Sequence, residues 1–433
     1  MKVAKPLLRT SISLLVLLSM CYELALSWGH QASLEKAKDI PFYDSNAHSR
    51  GSNDGDCWLQ PYVDFHAAAV QSLRRAHCVP SLVYVCDKNC GGVGDRMSGI
   101  ISAFYLAVAL DRAFFIDYKS PFPLTETLIP KTVRWDYKVN RKCTAASSFR
   151  SKENEIFMVD SENPEKVLRR IEQLHESGTS TIRLHINRYY VGVLLWTAPS
   201  SSKHSERTRA VFESKMVRKL DVYCRDRNAI ENTAGYTFSF AFTHLFDFAS
   251  EVKDRALQMS QELALGADAE FIAVHIRLGG RPKQSNRVVG WVDPKRHEME
   301  DAASFFDCAD SKRRHTGTIS RSSPIVLFSD NEEVKRAPIV AARGVRVVES
   351  THISHTDRSW SFSKKSMRRG NIDTFAELYL MSRASCIVGS NSTYSGLASS
   401  LTFPPHACFS YFGNCTESRW DFWTETEPRV LRL

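Results

Sequence analysis

Cys90-Gly91-Gly92-Val93-Gly94-Asp95-Arg96 lies between an apolar run and a helical pattern, and its reading decides the fold. Upstream, Leu82-Val83-Tyr84-Val85 has the β-branched and aromatic content of a short buried strand. Downstream, Met97, Ile100, Ile101, Phe104 and Val108 recur on one face of a helix. A second apolar run, Ala113-Phe114-Phe115-Ile116, follows and ends in Asp117. Strand, glycine turn, helix and strand make a βαβ unit, and such a turn lets backbone N–H groups approach an anion at a helix N-terminus.

Working outward, a polar stretch, residues 28–56, precedes the unit as a stem or linker. A first domain then runs over 57–265. Helical patterns are expected at 165–175, 208–224 and 240–264, with a strand at Thr181–His185 and an apolar segment from Tyr189 to Trp196. A second domain, 266–433, opens on the strand Phe271-Ile272-Ala273-Val274 and ends it in His275-Ile276-Arg277. Ile325-Val326-Leu327-Phe328 is another strand, ending in Ser329-Asp330-Asn331; Val345–Val348 is a third. A helical piece spans 298–310. A basic loop, Lys364–Arg369, leads to a helix over 373–382, and Cys386-Ile387-Val388-Gly389 is a fourth strand, followed by Ser390–Gly396 and a helix over 397–401. Strands alternating with helices in both halves predict an α/β protein with two doubly wound, Rossmann-like parallel sheets.

The chain has 433 residues, 43% of them hydrophobic, enough to bury two cores. Its net charge of +9 is scattered rather than clustered among aromatics, which argues against a nucleic-acid surface and suits a phosphate-bearing small ligand. Lys2, Lys5 and Arg9 precede an apolar core that ends near Ala25-Leu26-Ser27, so residues 1–27 read as a cleavable signal peptide or as a signal-anchor crossing the membrane once. Either places the body of the protein in the secretory pathway. Besides Cys21 there are ten cysteines, an even number that suits disulfides. His77, Cys78, Cys86 and Cys90 match no standard zinc spacing, and no metal ligands are assigned.

Ligands of open α/β sheets bind beyond the carboxyl ends of the strands. Four clusters lie there: 91–96, 275–277, 329–331 and 390–395. Arg277 offers a permanent positive fork for phosphate oxygens. Ser392 and Thr393 offer hydroxyl and N–H groups where a helix begins. Asp330 is able to accept from guanine or from ribose hydroxyls. Each has a plainer reading: ion-pair partner for Arg277, turn residue for Asp330, helix N-cap for Ser392 and for Asp95.

In this order, Gly91-Gly92-Val93-Gly94-Asp95-Arg96, His275-x-Arg277, Ser329-Asp330 and Ser392-Thr393-Tyr394 resemble the fucosyltransferases that use GDP-fucose, the α1,2-, α1,6- and protein O-fucosyltransferase group. The resemblance covers most of residues 80–410. It implies two Rossmann-like domains facing a cleft (GT-B type) and inverting transfer of fucose to a glycan or protein hydroxyl in the Golgi or endoplasmic reticulum. GDP-fucose would be the donor, with neither a cofactor nor a metal. By resemblance, Arg277 holds the donor β-phosphate, and Ser392, Thr393 and Tyr394 line the same diphosphate. Asp330 and His275 lie near the nucleoside. Gly92, Gly94 and Arg96 face the donor sugar from the other domain. Asp95 is the candidate general base that deprotonates the acceptor.

Two rivals start from the same residues. Gly92-x-Gly94 with Asp117 some twenty residues on approximates a dinucleotide fingerprint, though Met97 stands where its third glycine belongs. Leu278-Gly279-Gly280, where many relatives carry a second basic residue or an acid, fits a catalytically inactive carbohydrate-binding protein of the same fold. Asn391-Ser392-Thr393 and Asn414-Cys415-Thr416 are glycosylation sequons, the second the more accessible by expectation.

Overall fold

The computed structural model describes residues 59–87, 90–138, 155–157, 164–187, 234–266, 269–278, 297–315, 319–348, 363–390, 392–402, 408–411 and 415. The expected targeting segment, stem, 208–224 helix and Tyr189–Trp196 segment lie outside them, as do both sequon asparagines.

A first helix, α1 (Leu59–Arg74), precedes β1 (Ser81–Cys86), α2 (Val93–Ala109) and β2 (Ala113–Tyr118). Then come β3 (Leu128–Pro130), β4 (Glu155–Phe157), α3 (Pro164–Glu176) and β5 (Thr181–His185). These form a parallel sheet in the order β2-β1-β5-β4, with Ser81 opposite both Ala113 and Thr181. Every residue of β1 is buried, as a strand covered on both faces requires.

The expected helix over 240–264 is two helices, α4 (Ala234–Leu245) and α5 (Ser250–Glu262), separated by β6 (Phe246–Phe248). Phe246 and Phe248 point one way and Asp247 the other, the period of a strand, and β6 pairs antiparallel with β3. Trp135 packs edge-on against Phe246 and donates its indole N–H to the Leu245 carbonyl at 2.7 Å, pinning the break.

The second sheet is built from β7 (Ile272–Ile276), α6 (Ala302–His315), β8 (Ile325–Ser329), short helices α7 (Glu332–Lys335) and α8 (Pro338–Ala342), β9 (Arg346–Val347), α9 (Lys364–Met381), β10 (Cys386–Gly389), α10 (Thr393–Ser399) and β11 (Phe409–Tyr411). All its strands are parallel, in the order β11-β10-β7-β8-β9. The chain steps one way from β7 to β9, then returns to lay β10 and β11 on the other side. That reversal opens a crevice between the carboxyl ends of β7 and β10. Both halves are therefore α/β and Rossmann-like, as the sequence predicts.

Three local expectations shift. The basic stretch Lys364–Arg369 is the start of α9, not a loop, because the Ser363 hydroxyl caps it by accepting the Ser366 N–H. Helix α10 begins at Thr393, four residues before the expected start. Helix α2 is not amphipathic: every residue except Asp95 is buried. It lies between the first sheet, α4 and the amino end of α10.

Candidate nucleotide-sugar site

The loop from β1 to α2 is held from below. Cys86 and Cys90 form a disulfide across its first half, so neither thiol is a zinc ligand. Gly91 has φ +81°, a left-handed conformation that costs glycine nothing. Arg96 is completely buried. Its Nε donates to the Gly91 carbonyl at 2.8 Å, and Nη1 donates to the Tyr118 hydroxyl at 2.8 Å and to the Ser120 carbonyl. The side chain expected to face the donor is instead the loop's internal strut; a guanidinium with no surface exposed does not reach a ligand.

Asp95 accepts the Gly92 N–H on Oδ2 at 3.0 Å and so closes the first turn of α2. Gly94 faces the second domain. A Cβ on residue 94 would lie 2.5 Å from the carbonyl carbon of Thr393 and 2.7 Å from its Cβ, so only glycine fits there. Close approach of α2 to the first sheet falls to Gly99, where a Cβ would sit 1.9 Å from the Ile186 carbonyl oxygen. Met97, in the third-glycine position of the dinucleotide pattern, is simply buried core. Asp117, that pattern's ribose acid, pairs with Lys119 at 2.9 Å and Arg183 at 3.2 Å. Burial raises its pKa, but the two cations outweigh burial and hold the carboxyl below its usual range.

Across the seam, Arg277 leaves β7 at the crevice. Its backbone N–H donates to Ser390 Oγ at 2.8 Å, which ties it to the end of β10. Its guanidinium Nε lies 3.8 Å from Asp330 Oδ2, with the side chains 15% and 30% exposed, so both are within reach of a ligand. The Ser329 hydroxyl donates to the Ile276 carbonyl at 2.8 Å and locks the two strand ends together. His275 is buried, with Nδ1 2.6 Å from Ser395 Oγ and its ring 5.2 Å from that of Tyr394.

Two residues expected on the diphosphate prove to be supports. Ser392 is buried and caps α10, its Oγ accepting the Tyr394 N–H at 3.3 Å. Tyr394 donates its hydroxyl to the Thr374 carbonyl at 2.8 Å, fastening α10 to α9. Burial, with Glu377 nearby, pushes the Tyr394 phenol well above its usual range. Thr393 is half-buried at the seam. Arg277 and Asp330 thus meet at neighbouring strand ends, His275 lies against the first turn of α10, and the glycine turn reaches that same helix through Gly94 and Thr393. Ser390 and Ser395 lie in the 390–395 cluster that the sequence singles out, but sequence reasoning assigned neither a role. The one available signal was that serines follow a strand end at once, a placement shared by many turns.

The two halves are also joined away from the cleft. Arg368 on α9 pairs with Glu126 at 2.9 Å and Glu251 at 2.6 Å, and Arg255 on α5 pairs with buried Asp373 at 2.8 Å. Among the described residues, no group of three or more His, Cys, Asp or Glu side chains is arranged to hold a metal.

No family model matches the chain, and no curated protein matches it. Solved structures do. A single-substitution mutant of Arabidopsis thaliana FUT1 in complex with GDP superposes with a TM-score of 0.52 at 14% identity, over 83% of this chain and 80% of that one. The Bradyrhizobium α-1,6-fucosyltransferase NodZ, soaked with GDP-fucose, gives 0.40 at 15% identity over 75% and 93%. POFUT1 in complex with GDP gives 0.35 at 11% over 77% and 99%. At such identities the likeness is one of fold: this chain shares the two-sheet α/β architecture of the GDP-bound FUT1 mutant.

Proposed function

We propose that this chain is a glycosyltransferase that transfers fucose from GDP-fucose, with inversion at the anomeric carbon, to a hydroxyl of a glycan or protein in the secretory pathway. The observation that carries the reading is the place of Arg277. A permanent cation, fixed through its backbone by Ser390, stands at the switch point of a five-stranded parallel sheet, beside the Asp330 carboxylate. Fold likeness to fucosyltransferases narrows the ligand from any phosphate ester to a nucleoside-diphosphate sugar.

In the reaction an acceptor oxygen attacks the anomeric carbon while the bond to the β-phosphate oxygen breaks. Negative charge grows on the departing diphosphate, and Arg277 stabilises it more in the transition state than in the bound donor. Asp330 is assigned to the nucleoside. Gly92 brings backbone close to the sugar, Gly94 instead packs on Thr393, and Asp95 takes the acceptor proton. No step here needs a metal.

A thermal-shift panel of GDP, UDP, ADP and NAD on the full chain tests the reading. GDP alone should stabilise, by roughly 2.7 kcal/mol at a hundredfold excess over its Kd. Arg277→Ala should abolish that shift. Stabilisation by NAD alone overturns the proposal. A GDP response without fucose transfer to any acceptor hydroxyl would leave a non-catalytic binding protein.

A further inference from the structure

We propose that the Arg277–Asp330 pair is a selectivity device. The carboxylate holds the cation against bare inorganic anions, so the site accepts a phosphate ester only when that ligand also brings hydrogen-bond donors for Asp330. The inference deepens the donor reading above and rests on it only for the identity of the ligand.

Register creates the pair. Strands β7 and β8 run parallel with Ile276 opposite Ser329, so the next residues, Arg277 and Asp330, leave the sheet side by side. Both strand ends are tied: Ser390 holds the Arg277 N–H, and the Ser329 hydroxyl donates to the Ile276 carbonyl while accepting the Asn331 N–H. At 3.8 Å the contact attracts as charge on charge but is too long for a hydrogen bond. It is thus easily exchanged, unlike a bidentate Arg–carboxylate fork.

An inorganic anion arriving at Arg277 must settle beside the Asp330 carboxylate, and like charges a few ångströms apart repel in a half-buried site. A nucleotide whose base offers N–H donors removes the conflict. Its phosphate takes the guanidinium while its base takes the carboxylate. Free phosphate and pyrophosphate do not supply the second half.

Calorimetric titration of the full chain with inorganic pyrophosphate and with GDP tests this. The wild type should bind pyrophosphate at least tenfold more weakly than GDP. Asp330→Asn should bind pyrophosphate about five- to tenfold more tightly than the wild type and lose GDP affinity. Asp330→Ser, a second substitution at this turn, should do the same. Glu333→Gln, which neutralises an exposed acid on the following turn, should change pyrophosphate binding less than twofold. Unchanged pyrophosphate affinity in both Asp330 variants overturns the proposal, and so does an equal gain in Glu333→Gln. If the Asp330 variants gain pyrophosphate affinity while no form of the protein binds GDP, the selectivity device stands and the GDP-fucose reading fails.

Discussion

Gly94, at the amino end of the first domain's central helix, rests on the backbone of Thr393, at the amino end of a helix in the second. The contact leaves no space for a methyl group, so Gly94→Ala must push the two domains apart or bend one of the helices. The expected cost is about 1–3 kcal/mol, typical of inserting a methylene into a packed core. Gly266→Ala, where an added Cβ meets nothing within 4 Å, should stay within about 0.5 kcal/mol. Urea unfolding of the two variants compares them directly, and an equal cost would show that the seam yields without strain.

Arg96 supports the glycine loop through three oxygen acceptors while carrying a buried charge. Arg96→Met should lower stability by roughly 2–4 kcal/mol, since the carbonyls of Gly91 and Ser120 and the Tyr118 hydroxyl lose a charged donor. Arg96→Lys should rescue little, because an ammonium does not span the same fork. Chemical denaturation reads both, and full rescue by lysine would show that charge alone matters.

Asp95 is assigned two tasks that one substitution separates. Asp95→Asn keeps an oxygen to accept the Gly92 N–H, so fold and GDP binding should persist. Turnover should fall about 10²–10⁴-fold if the carboxylate takes the acceptor proton. Retained turnover in Asp95→Asn, with loss in Asp95→Ala, would reduce the residue to positioning the loop.

Strands were the most legible part of the chain. Parallel strands buried on both faces appear as short apolar runs, and Thr181–His185 folds as its sequence reads. The strand-end positions of Arg277 and Asp330 were legible with the strands that carry them. What sequence does not show is the direction a polar group turns. Arg96 follows a glycine turn in a place that suits a ligand contact, yet the Gly91 carbonyl points inward and captures it. Ser392 carries the same hydroxyl whether it caps a helix or meets a phosphate, and here the Tyr394 N–H takes it. Helix α2 shows an apolar stripe, but its burial on every side depends on α10, far off in sequence.

His66 makes stability depend on pH. Its Nε2 lies 2.8 Å from the Phe114 carbonyl oxygen in a buried setting. Burial lowers its pKa to about 4, despite opposing effects of that carbonyl and Asp136. The unfolded chain takes up a proton near pH 6.5 and the folded one only near pH 4, so stability declines as pH falls through that window. Between pH 7 and pH 5 the loss from this residue should be about 2 kcal/mol. His66→Gln, which retains a donor and does not titrate, should flatten the curve. An unchanged slope in denaturation midpoints over that range would remove His66 as the cause.

Asp373 and Arg255 join α9 to α5 with the carboxylate almost fully buried. Arg255→Met should cost about 3–5 kcal/mol, because the buried Asp373 carboxylate loses its cation, whereas Asp373→Leu should cost less, since Arg255 keeps Glu262 at 3.2 Å. The double variant Arg255→Met with Asp373→Leu should cost distinctly less than the two singles combined, and a double-mutant cycle measures the difference. Simple additivity would mean that the two side chains act separately.

Burial of Val93–Ala109 from both sides has a consequence for how the chain can be divided. Its flanks are walled by the first sheet and α4, but the end that carries the glycine turn is finished by a helix from the far half of the sequence. The first half alone would present that end bare to water, and the second half would lose the surface on which α10 sits. Two sheets here do not make two separable modules, and the molecule is best handled, expressed and engineered as one indivisible piece.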